Sequence, residues 1–300
     1  MKKIISIILV LTAFLSLYSC APTEKGEGIS VITTSFPLYD FARELLGDKG
    51  EVTLLLKPGQ DSHSYDPSMK EIAKIKSCDL FLSIGGEDEA WVKKLLSGAD
   101  MKKVESLSLA HLFAQDEHGH DGHDHNDEHY WTSPKNAILM VNEIADKLIS
   151  LFPEEEEFIS ANLTSYLSKL EELDAAFTEV GELYEGNTVI FGDRFPFTHL
   201  FCDYGIEYMS AYPGCSDMTE PSASTVVELI NTVKENGIKT VFVTETSNGA
   251  LADTICSETG AKKAVLHSCA NITKTDKKNG ETYISLMTKN AEALKNSLQK

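Results

Sequence analysis

Three histidines of this 300-residue chain fall at loop positions from which an imidazole can reach a ligand. His63 follows an apolar run over 52–56 and precedes a helix that Asp66 or Ser68 can cap. His129 stands just ahead of a helix opened by Pro134, and His267 follows an apolar run over 263–266. Imidazole nitrogen is a good donor to borderline cations such as Zn²⁺, and three such groups at loops can converge on one ion. A second set of donors is local. The fourteen residues from Asp116 to His129 hold five His, six Asp or Glu and two Gly. Such a segment cannot bury a core, so it reads as a loop over 116–129 whose His118, His120, His123 and His125 bind divalent ions weakly and at several positions. His199, inside a predicted helix, and His111, on an apolar stretch, read as structural.

The elements that must position these groups alternate. Apolar runs at 31–33, 52–56 and 80–84 are followed by amphipathic stretches at 38–46, 69–77 and 89–96. That order implies parallel β-α-β units. A further helix opens at Pro134. After Pro153 an apolar stripe at three- and four-residue steps runs from Phe158 to Tyr184, with acidic residues 154–157 at its start, as suits a helix N-terminus. A single helix there, ending at Gly186, is long enough to bridge two lobes. Strand-helix alternation then resumes, with strands at 188–191, 207–210, 240–243 and 263–266 and helices near 197–204, 222–236, 248–260 and 283–298. The expected fold is α/β with two similar lobes, each a small, mostly parallel sheet flanked by helices, joined by one long rigid helix. The lobes are placed at 29–152 and 187–300, with the linking helix at 153–186. Ligands of open parallel sheets gather at the carboxyl ends of strands, where His63 and His267 lie.

Lys2 and Lys3 precede a short apolar run that ends in Leu17-Tyr18-Ser19-Cys20. Residues 1–20 therefore read as a secretory signal. A small residue followed by Cys resembles a bacterial lipobox, which makes Cys20 the acylated first residue of an exported, lipid-anchored chain; the alternative is an ordinary cleaved signal. Residues 21–28 are small and polar, as a tether should be. The net charge of −19 excludes nonspecific attachment to phosphate backbones, so nucleic acid is not an expected partner. Export allows disulfides among Cys78, Cys202, Cys215, Cys256 and Cys269, at most two of them, with the pairing open.

Several motifs together resemble one family, the ABC-transporter solute-binding lipoproteins for zinc and manganese, which include metal-binding adhesins. Residues 59–68 are similar to its Gly-x-Asp-Pro-His-x-Tyr-x-Pro-Ser loop, with Ser62 where Pro is usual. Residues 127–134 resemble its Asp-Pro-His-x-Trp-x-Ser-Pro, and Ile84-Gly85-Gly86-Glu87 with Trp91 resembles another of its steps. Glu220-Pro221-Ser222, residues 241–245 and Tyr283 with Leu286, Met287 and Asn290 also match. The resemblance covers nearly everything from Ile29 onward. It implies a divalent ion held between the lobes by four side chains, with His63 and His129 at the first two positions and His267 at the fourth. The third position falls on Arg194, which cannot ligate a cation. Asp193 is the expected replacement, with Glu245, His199 or water as substitutes, and Arg194 then pairs with a carboxylate. Nitrogen-rich coordination favours Zn²⁺ over Mn²⁺ or Fe²⁺. The resemblance further implies a monomer that is no enzyme and that delivers its ion to a membrane permease and its ATPase. Rival readings are an exported zinc hydrolase, with Glu245 or Glu220 as base, and a surface metal buffer or adhesin without a permease.

Overall fold

The computed structural model describes residues 28–87, 89–98, 101, 103–113, 127–212 and 221–298. Residues 1–27, His118, His120, His123, His125 and Cys215 lie outside the described residues, and with them the expectations attached to the lipid anchor on Cys20 and to most of the His-rich loop.

The first lobe runs β1 (Ile29–Thr33), α1 (Phe36–Leu46), β2 (Gly50–Leu54), α2 (Met69–Ile75), β3 (Leu80–Ser83), α3 (Ala90–Leu96) and β4 (Ser106–Ser108). Its strand order is β2-β1-β3-β4, and every pairing is parallel, with Val31 between Val52 and Leu80. Val31, Leu80, Phe81 and Leu82 are fully buried, the signature of strands covered on both faces. Then come α4 (Pro134–Leu151), with Pro at its first position, and α5 (Glu156–Leu183). The second lobe repeats the pattern with β5 (Thr188–Phe191), α6 (Thr198–Asp203), β6 (Glu207–Ser210), α7 (Ala223–Glu235), β7 (Thr240–Thr244), α8 (Ala250–Thr259) and β8 (Lys262–Leu266). Its order, β6-β5-β7-β8, is that of the first lobe, again parallel throughout. Helices α9 (Lys274–Asn279) and α10 (Tyr283–Ser297) close the chain. In each sheet the order turns at the first strand, so the natural ligand crevices lie at the carboxyl ends of β1 and β5.

The 28 residues of α5 span roughly 42 Å. Its buried stripe, Ile159, Tyr166, Leu170, Leu173, Phe177 and Val180, joins one apolar core that continues from Phe41 and Val141 in the first half to Phe242, Tyr283 and Leu294 in the second. The helix passes through Gly181 without a break. A Cβ there would stand 2.2 Å from the Tyr204 carbonyl oxygen, so glycine lets α6 pack directly on the spine. Gly181→Ala is therefore expected to cost about 1–3 kcal/mol of stability by overpacking, outweighing the ~1 kcal/mol that alanine gains in a helix. Urea unfolding midpoints measure it, and an unchanged or raised midpoint contradicts this account of the contact.

Two elements lacked a signal in the periodicity. β4 is three residues of alternating Ser and Leu on the sheet edge. α9 is polar throughout and is built by its ends, with a reciprocal capping box between Thr273 and Asp276 and Gly280 at φ +71° closing it. No described helix is long and apolar enough to cross a membrane.

Candidate metal centre

A cavity of about 480 Å³ opens between the lobes. The first lobe contributes the loop after β2 and His129; the second contributes the segments that follow all four of its strands.

The β2 loop turns at Gly59, φ +79°, and is bonded across the cleft at its base. Gly59 N–H donates to the Ile272 carbonyl at 2.9 Å, and the Asn271 amide donates to the carbonyls of Lys57 and Gln60 at 2.7 and 2.8 Å. Farther along, His63 N–H donates to Asp61 Oδ1 at 2.9 Å, while Ser68 and Glu71 form the box that starts α2. Tyr65 is buried edge-on against Trp91. These constraints bring the His63 ring to the cavity wall, 5.5 Å between centroids from that of His129.

His129 is buried, and the carboxylate two residues before it holds it twice. Asp127 Oδ1 accepts the His129 backbone N–H at 3.0 Å and stands 2.6 Å from ring Nδ1. A carboxylate only accepts, so the proton of the neutral ring is assigned to Nδ1, which leaves the Nε2 lone pair for a cation. The other oxygen of Asp127 accepts Thr198 N–H at the start of α6, and its carbonyl faces His199 Nε2 at 2.7 Å. Burial alone raises a carboxyl pKa, but electrostatic attraction and hydrogen bonds from the ring and backbone N–H groups of His129, with attraction from the His199 ring, hold Asp127 well below the usual carboxylate range. Beside it, Gly86 at φ +88° gives Glu128 room, since a Cβ there would stand 2.1 Å from Glu128 Oε1.

On the opposite wall Asp193 and Arg194 leave the end of β5. Asp193 Oδ2 accepts from Thr244 N–H and Oγ1 at 3.2 and 2.7 Å, turning Oδ1 over to other partners. Glu245, also on the wall, receives Ser268 N–H and Oγ–H on its two oxygens, each at 2.8 Å. Among the described residues no three His, Cys, Asp or Glu converge tightly enough to enclose an ion by themselves.

His267 departs from expectation. It does not line the cavity; Ser268 and Ala270 take that place. Its Nδ1 accepts Cys269 N–H at 3.0 Å, and Nε2 lies 3.3 Å from Asp276 Oδ2 in α9. The buried Asn290 clamps its backbone through both N–H and C=O. The tight turn puts Cys269 at φ +57°, a region rare for non-glycine residues, and the ring lies between Asp276 of α9 and Glu245 of the cavity wall, with Nδ1 3.9 Å from Glu245 Oε1. Burial raises the Asp276 pKa, yet its Thr273 hydrogen bonds and the His267 charge hold it below its ordinary value. Of the expected set the structure thus brings His63, His129 and Asp193 to one cavity and leaves His267 outside. His199, one of the substitutes, is committed to Asp127 and lies tilted against Tyr130, 4.8 Å between ring centroids. His111 is exposed, bonded to the Ser108 carbonyl. Cys78, Cys202, Cys256 and Cys269 are free thiols, so no bridge forms among the described cysteines.

Residues 31–297 match the family described as zinc-uptake complex component A, periplasmic, ZnuA. The chain belongs to that family. It is 36% identical to the zinc-binding lipoprotein AdcA of Streptococcus pneumoniae strain R6 across 98% of this chain, which spans 61% of AdcA's length. It is 30% identical to the high-affinity zinc uptake system protein ZnuA of Bacillus subtilis, covering 99% of this chain and 98% of that one. The Zn(II)-bound ZnuA-like domain of S. pneumoniae AdcA superposes with a TM-score of 0.76 at 34% identity, covering 91% of this chain and all of that domain. Within the ZnuA family frame, the residue that reading by motif underweighted is Asp127. Its signal was present as the first residue of the motif at 127–134, a carboxylate two residues before a histidine that precedes a helix, but the motif alone gave it no partner.

Proposed function

We propose that this chain is the extracytoplasmic binding component of an ABC importer, which captures Zn²⁺ between its lobes and delivers it to a membrane permease and its ATPase. The observation that carries the reading is the pair of imidazoles, His63 and His129, side by side on the cavity wall with Asp127 fixing the tautomer of one. His63, His129 and Asp193 supply the protein donors. His267 joins them only by giving up its bonds to Cys269 and Asp276. Two nitrogens among the donors favour Zn²⁺ over Mn²⁺ or Fe²⁺. His118, His120, His123 and His125 act as a collector of ions ahead of the cleft. The protein works as a monomer held at the outer face of the membrane through lipid on Cys20. Family membership supports capture and delivery over hydrolysis.

The test is zinc titration of the soluble chain from Ala21, intact and with 116–126 deleted. The deletion stops short of Asp127 because that carboxylate holds His129. One tight Zn²⁺ should survive the deletion while weaker sites vanish. Loss of all tight binding with the loop would make the protein a metal buffer instead.

A further inference from the structure

We infer that the cavity takes its metal together with a small oxyanion-bearing co-ligand, whose anionic oxygens complete the coordination and rest against Arg194. The inference depends on the capture reading above and specifies what is captured.

Three features of the cavity lead to it. The first is its donors. Zinc seeks four ligands, and the first lobe gives two imidazoles. Asp193 has one oxygen occupied by Thr244, Glu245 has both occupied by Ser268, and His267 is turned to α9. Asp61, on the rim, already accepts His63 N–H. His63, His129 and the second oxygen of Asp193 make three donors, and the fourth position can be taken by a ligand that enters with the ion.

The second is Arg194. A guanidinium stays charged at any working pH and lowers the affinity of its surroundings for a bare dication by simple repulsion. It attracts a carboxylate or phosphate oxygen instead. With five N–H donors in a planar fork, it can keep a partner within the protein and still present N–H groups to a ligand.

The third is space and lining. A volume of about 480 Å³ has room for on the order of ten waters or more, far beyond one ion. Past the end of β7, Thr246, Ser247 and Asn248 face it. Asn248 Oδ1 accepts Ala250 N–H at 3.0 Å, which leaves its NH₂ as a donor toward the cavity side. The same wall carries the carboxylates of Asp61, Asp193 and Glu245, so an anion is held only together with the cation, its outer oxygens meeting the hydroxyl and amide donors around the arginine. The shared chemistry is an oxyanion that also binds the metal, whether a small organic polycarboxylate or an inorganic anion.

The experiment is calorimetric titration of the soluble full chain from Ala21 with Zn²⁺ alone, Zn²⁺ with citrate, Zn²⁺ with inorganic phosphate, and each anion alone, joined to native mass spectrometry. The readout is the ratio of apparent Zn²⁺ affinity with and without the anion, taken within each variant. In the intact chain at least one anion should tighten Zn²⁺ by about tenfold, the size of one charge-assisted hydrogen-bond pair, with a 1:1:1 complex in the mass spectrum. Arg194→Gln should bring that ratio below about threefold. Arg194→Lys, which keeps the charge and loses the fork, should fall between and serves if the glutamine variant does not fold. Tightening by citrate only assigns the position to an organic chelator, and tightening by phosphate as well assigns it to a simple anion. If both anions merely weaken Zn²⁺ binding, as competing chelators do, or if the ratio in both Arg194 variants equals that of the intact chain, the inference is overturned while zinc capture stands. If Zn²⁺ fails to bind in every arm, the capture reading itself falls.

Discussion

Replacing His63 by alanine is expected to abolish tight zinc binding by the soluble chain while leaving its unfolding midpoint almost unchanged. The His63 ring sits on the cavity wall at the tip of a loop whose base is fixed by Asn271 and Ile272, so the substitution deletes a donor without opening the core. Losing a group that merely orients a zinc ligand costs about 10- to 100-fold in affinity, and losing the ligand itself should cost more than about 100-fold. Loop base and tip separate in this respect: Asn271→Ala, which releases Lys57 and Gln60, should lower both stability and affinity. Competition against a chelator of known zinc affinity measures the first effect. A His63→Ala chain that holds zinc within about threefold of the parent places the ion elsewhere.

Asp127→Asn is the second large effect. An amide can present its oxygen to His129 Nδ1, or its NH₂, and the second choice moves the ring proton to Nε2 and removes the lone pair that faces the metal. A 10- to 100-fold loss of zinc affinity, about 1.4–2.7 kcal/mol, is expected with no ligand removed. Stability changes as well. The native pKa of Asp127 is depressed below 3.8, so its contribution to folding is complete well above that value and is lost as pH falls through the native pKa. The asparagine variant should therefore show a flatter decline of urea midpoint as pH drops below about 4, and lower stability than the parent at neutral pH. Equal slopes for the two chains would show that the carboxylate is not what His129 and Thr198 hold in the native state.

Much of the architecture was open to reading from the chain because it rests on local physics. The strands β5 and β6 and the spine α5 announce themselves by apolar runs between turns and by a stripe at helical spacing; the two strands keep the expected limits, and the helix is three residues shorter at each end than the expected 153–186. β4 and α9 escaped because neither buries a periodic face; one is an edge strand and the other depends on capping hydrogen bonds. The site shows the same division. A loop after a strand picked out His63, a loop ahead of a helix picked out His129, and the family resemblance brought in Asp193 in place of Arg194; all three reach the cavity. His267 satisfied the same rule yet turns away, because the outcome depends on Cys269 adopting φ +57° and on a carboxylate nine residues later. Neither is visible in spacing alone. Asp127 opened a recognised motif yet was given no role, since what it does is defined only by Thr198 and His129, which the fold brings to its two oxygens.

The hydrogen bonds that cross the cleft set a limit on how cargo can be announced to the outside. Asn271 and Ile272 hold the β2 loop, the Trp131 indole N–H donates to the Ser268 carbonyl, and Asp40 accepts the Tyr283 N–H, all on top of a shared apolar core. A chain braced in this way is expected to keep nearly the same outline whether loaded or empty, which small-angle scattering with and without Zn²⁺ checks. On the capture reading proposed above, a docking partner would then meet both forms as near equals, and the empty form would compete with the loaded one. Uptake by such a system should rise with metal supply but fall when binding protein outnumbers the ions available to it.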